Sequence, residues 1–112
     1  MILLPLILAA DTPSASPQIE SRAYGACVVQ KVAKWATGPD EAQVIVKTAE
    51  ESCENELKEV RRAALDFTEE RRAEEPSKRK LELAQQLVDL TVNRVRTLAF
   101  TAVLNARSTK TP

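Results

Sequence analysis

The sequence predicts an almost all-α protein: an antiparallel three-helix bundle in which a long hairpin of the second and third helices projects beyond a short first helix, with a disulfide joining the first two. Three observations predict it. Apolar residues make up 44% of the 112 and only two residues are glycine, while Ala, Leu, Val, Glu, Lys and Arg dominate, a composition that favours helix over strand. Apolar side chains recur at steps of three and four through most of the chain. Two turn signals, "TGPDEA" at 37–42 and "EEPSKRK" at 74–80, interrupt that spacing. A chain this short builds one modest core, for which a covalent staple is useful.

Residues 1–10, "MILLPLILAA", read as a secretory signal cleaved near Ala10, the alternative being an uncleaved hydrophobic tail. Residues 11–18, "DTPSASPQ", follow as a disordered polar leader. The single helical domain spans 19–107. Its first helix, about 19–36, carries the stripe Tyr24, Val28, Val32 and Trp35. Gly38 suits the end of that helix, Pro39 fits the first turn of the next, and Asp40 and Glu41 favour its positive N-terminus. The second helix, about 40–73, contains no Gly or Pro after Pro39 and puts Ile45, Ala49, Cys53, Leu57, Val60, Ala64 and Phe67 in register. The third, about 77–106, aligns Leu81, Ala84, Val88, Thr91, Val95, Leu98 and Ala102, and Arg107 near its end complements the helix dipole. Residues 108–112 form a frayed tail. No stretch offers the roughly 20 consecutive apolar residues that a bilayer span needs.

In an antiparallel hairpin, facing residues have numbers with a constant sum. Pairing Trp35 with Ile45, Val32 with Ala49 and Tyr24 with Leu57 keeps that sum at 80 or 81, and Cys27 with Cys53 falls in the same register. Facing positions on closely packed helices allow the Cα separation a disulfide requires, about 4.4–6.8 Å. A Cys27–Cys53 bridge is therefore expected, worth about 3–4 kcal/mol through the loop it closes, and it agrees with an exported protein. The alternative is two buried free thiols in the cytosol. About Pro76 the constant is 151, pairing Phe67 with Ala84, Val60 with Thr91 and Cys53 with Leu98. Residues 40–75 carry twelve acids against six bases while 83–112 carry Asp89 against four bases, which favours that second pairing.

The first helix runs out near residue 61 of the second. The hairpin beyond carries Leu65, Phe67, Leu81, Leu83, Leu87 and Leu90, more apolar surface than two helices bury between themselves. A protein partner or a second copy docking there in coiled-coil fashion is the expected function; the competing reading lays Arg and Lys stems over the same residues. Lys and Arg together number 16, as do Asp and Glu, so no net charge draws the chain to nucleic acid, and one Trp and one Tyr make no stacking platform for bases. The basic doublets Arg61-Arg62 and Arg71-Arg72 alternate with glutamates as on a solvated helix face. Membrane-surface contact by the end of the third helix is not expected, because its register packs it inside.

Without histidine, acid–base chemistry would fall to carboxylates such as Glu50-Glu51 and Glu69-Glu70, expected on exposed helix faces and so poorly placed for catalysis. Two cysteines alone cannot supply a zinc tetrad, and the two glycines make no phosphate loop, so neither a metal nor any other cofactor is expected. The Tyr-x-x-Cys of "YGAC" at 24–27, an Ala-rich run and a second cysteine one hairpin later, at Cys53, resemble small uncharacterised exported helical two-cysteine proteins of Gram-negative bacteria. That resemblance implies a periplasmic or secreted helical fold with a disulfide and names no activity. Periplasmic chaperones that cradle unfolded envelope proteins are similar in helix-hairpin build, which makes a stress chaperone the alternative function, with an enzyme a distant third.

Overall fold

A computed structural model describes residues 17–109; the expected signal at 1–10, the leader up to residue 16 and the tail from 110 lie outside the described residues. The chain is all-helical there, with no strand among the described residues. Four helices form it: α1 (Gln18–Trp35), α2 (Ala42–Ser52), α3 (Glu54–Arg71) and α4 (Ser77–Thr109). No helix among them is long and apolar enough to cross a membrane.

The expected rod over 40–73 is two helices, and the three-helix bundle is accordingly a four-helix arrangement in which α2 and α3 share the second arm. The break is at Cys53, whose φ of −106° and ψ of 27° leave the helical region. Its N–H is divided between the carbonyls of Ala49 and Glu50, both at 3.1 Å, while its own carbonyl accepts from the N–H of Leu57. Two local features act there. The Ser52 hydroxyl donates to the Thr48 carbonyl at 3.0 Å, a back-bond that bends helices. Glu54 and Glu56 then stand in the first turn of α3, where the helix dipole favours acids.

Cys27 and Cys53 are bonded, with Cα atoms 6.0 Å apart, so α1 runs antiparallel to the broken arm in the expected register. Glu20 reaches Arg62 at 3.9 Å near the start of α1, and Lys80 reaches Glu69 at 2.9 Å across the α3/α4 hairpin. Two antiparallel steps make α1 and α4 parallel, offset by about 70 positions. The hydroxyls of Ser21 and Thr91 meet at 3.1 Å, and the Nε–H of Arg107 donates to the Ala36 carbonyl at 2.9 Å. Arg107 also donates to the carbonyls of Gly38 and Asp40. It thus clamps the α1–α2 turn; the sequence had suggested only that it complements the dipole of its own helix.

Tyr24, Val28, Val32, Ala36, Ile45, Val46, Ala49 and Cys53 fill the core near the disulfide, joined from α4 by Ala99 and Val103. Trp35, Leu57 and Phe67, expected on the buried stripes, are only half-buried. On α4 the buried line passes through Ala84, Val88, Thr91 and Val95 as expected, then through Ala99 and Val103 instead of Leu98 and Ala102. Leu81 and Leu98 are 59% and 54% exposed. The expected stripe used a step of three at 95–98; α4 takes steps of four there because its upper half is wedged between α1 and α2. Thr68, whose hydroxyl donates to the Ala64 carbonyl at 2.8 Å, is buried in the hairpin with its polar group satisfied.

Candidate functional site

The six apolar residues expected to form the distal docking patch divide into two groups. Phe67, Leu83 and Leu87 are half-buried, whereas Leu65 is 38% exposed and Leu81 and Leu90 are each 59% exposed. The division follows from what lies between α3 and α4. Their shared interior is Ala64, Thr68, Ala84 and Val88, side chains small enough to let the backbones approach and leave the larger leucines outside. Long basic side chains cover part of the surface, as the competing reading anticipated. The Arg71 guanidinium sits over the Phe67 ring, 5.2 Å from its centroid, and Lys80 is only 15% exposed along its side chain while its ammonium reaches Glu69. Leu81 and Leu90 are nine positions apart on one helix, hence on opposite sides of it.

A second feature, which the sequence reading missed, is an open groove along the α1/α4 seam. It consists of two adjoining hollows of about 330 and 340 Å³. Both are lined by Ser21, Arg22, Thr91 and Arg94. The first continues over Gly25, Ala26, Val29, Val95 and Leu98, and is almost wholly apolar. The second continues over Pro17, Gln18, Leu87 and Leu90, and so touches the base of the distal hairpin. The two helices come close at Gly25, where a Cβ would touch a Val95 methyl at 3.4 Å, an ordinary van der Waals contact.

The arginines around the molecule are otherwise engaged. Arg61, Arg62, Arg72, Arg79 and Arg96 pair with carboxylates, Arg71 stacks on Phe67, and Arg107 holds carbonyls. Among the described residues, Arg22 and Arg94 alone of the nine have no such partner, and both line the groove. A signal for this was present in the sequence: no acid stands three or four positions from either, whereas Arg62 has Glu59 and Asp66 at those spacings.

Of the carboxylates considered for acid–base work, Glu50 and Glu69 are held in ion pairs. Glu50 takes a two-pronged contact from Arg96, at 2.8 and 3.1 Å, joining α2 to α4, and Glu69 holds Lys80. That Glu50 hydrogen bond raises the Arg96 pKa, fixing its positive charge. Burial pushes the phenol of Tyr24 up, and the nearby Glu50 charge adds to it. Glu56 lies beside the two sulfurs, within 4.8 Å, but sulfurs bonded to each other present no thiolate to a metal. No family model, curated protein or solved structure matches this chain.

Proposed function

We propose that this is an exported, non-enzymatic helical protein that works by binding another protein, or a second copy of itself, through the distal part of the α3/α4 hairpin. The observation that carries the reading is the small-residue interior of that hairpin, which leaves Leu65, Leu81 and Leu90 on its surface. Export is supported by the intramolecular disulfide, a bond that persists outside reducing compartments, together with the signal-like stretch at 1–10. A periplasmic or secreted location follows from this reading.

A photocrosslinking amino acid at Leu81, in the native host, tests it. One captured species of different mass identifies a dedicated partner, and a doubled mass identifies self-association. Many captured species indicate the chaperone function, which the placement of Leu81 and Leu90 on opposite sides of α4 favours over a single docked helix. Absence of any product at Leu65, Leu81 and Leu90 refutes hairpin binding.

A further inference from the structure

The α1/α4 groove brings two uncompensated cations to one level of an apolar channel. Parallel packing at an offset of about 70 places Arg22 of α1 beside Arg94 of α4, and Ser21 beside Thr91. The two hydroxyls satisfy each other at 3.1 Å; among the described residues neither guanidinium has a carboxylate or carbonyl partner. Among the described residues, no acid lines either hollow. An anion lodged in the groove would accept charge-assisted hydrogen bonds from both. What adjoins the cations decides which anion fits. On one side Gly25, Ala26, Val29, Val95 and Leu98 form an apolar bed, which from Arg22 to Val29 runs about 10 Å along the helix axis.

We propose that this groove binds a medium-chain fatty acid anion, its carboxylate held between Arg22 and Arg94 and its alkyl chain lying over Gly25, Ala26, Val29, Val95 and Leu98. Each hollow is at the small-ligand end of pocket sizes. Charge selects the head group and the apolar bed selects the tail. A cationic or uncharged amphiphile gains only the second of these.

Titration calorimetry of the disulfide-bonded chain with decanoate below its micelle concentration tests the assignment, with decanol and decyltrimethylammonium as uncharged and cationic matches. The expected result is one decanoate per chain, binding at least tenfold tighter than either match. R22Q and R94Q should each weaken it about tenfold, the scale of one charge-assisted hydrogen bond. A26F, placed at an exposed position on the bed, should abolish binding with circular dichroism unchanged. K58Q, a charge removed from the exposed face of α3, should have no effect. Equal binding of decanol, or decanoate binding that survives R22Q, R94Q and A26F together, overturns the proposal. So does absence of decanoate binding, including the case in which the protein adheres to phosphatidylglycerol vesicles, which would make the arginines a contact for a lipid surface.

Discussion

Around Cys53 the core is made of Tyr24, Val28, Val32, Ile45, Val46 and Val103, none more than 2% exposed, whereas beyond Arg62 the α3/α4 hairpin buries Ala64, Thr68, Ala84 and Val88. Both regions are helices in contact over similar lengths, yet they are held by different forces. Near the disulfide, bulky side chains from α1, α2 and α4 leave water, at roughly 25 cal/mol per Å² of apolar surface removed. In the hairpin the buried groups are small, and the ion pair that joins the two helices is Lys80–Glu69, a contact to an exposed carboxylate worth about 0.2–1 kcal/mol. Contact between helices is therefore a poor guide to stability unless the size of what they bury is counted. Exposed leucines at the tip and a well-filled, covalently tied base follow from the same distribution of side-chain volume.

The largest test of that contrast is removal of the bridge. Replacing Cys27 and Cys53 by alanine together should lower unfolding free energy by about 3–4 kcal/mol, read as a fall in urea midpoint; an unchanged midpoint would show that the base does not depend on its staple. Next comes a pair of truncations. Ile45→Ala in the base should cost about 3 kcal/mol, while Leu81→Ala at the tip, an equally large side chain, should stay within about 0.5 kcal/mol. Similar losses at the two positions would erase the contrast. Smaller again is Lys80→Met, which deletes the Glu69 pair but keeps the buried stem, and should shift stability by no more than about 1 kcal/mol in chemical denaturation.

The last effect is absent at neutral pH. Burial raises the Tyr24 pKa above its ordinary value of 10.0, so the folded chain holds that proton when the unfolded chain has released it. The stability linked to the neutral phenol is complete below pH 10 and is lost as pH rises through the raised folded value. Tyr24→Phe should flatten the decline in melting temperature on the alkaline side, and an identical decline in both proteins would place the phenol in water.

Much of this architecture was legible in the sequence, and the parts that were not have physical reasons. Both hairpin registers came from apolar spacing about two turn signals, and the first located the Cys27–Cys53 pair. Their two constants, 80 and 151, differ by 71, close to the α1/α4 offset of 71 seen at Ala36 and Arg107 and of 70 at Ser21 and Thr91. The groove was thus implicit in the registers, but pairing arguments that treat adjacent helices alone never bring Arg22 beside Arg94. The break at Cys53 stayed hidden because no Gly or Pro marks it; it coincides with a serine back-bond and an acidic first turn, both weaker signals than a breaker residue. Leu81 and Leu98 were assigned to the buried face of α4 by a periodicity that admits steps of three or four equally. Which residue wins depends on where the neighbouring helices stand.

The sulfur bridge encloses the α1–α2 turn, whose residues 37–41 are all exposed. A protease that cuts there severs the chain without separating it, because each piece keeps one of the two sulfurs. Arg107 grips the carbonyls of Ala36, Gly38 and Asp40, so the new ends also stay docked against α4. In an environment rich in proteases, the most accessible loop of the base is one whose cleavage leaves a single, covalently joined molecule until a reductant arrives.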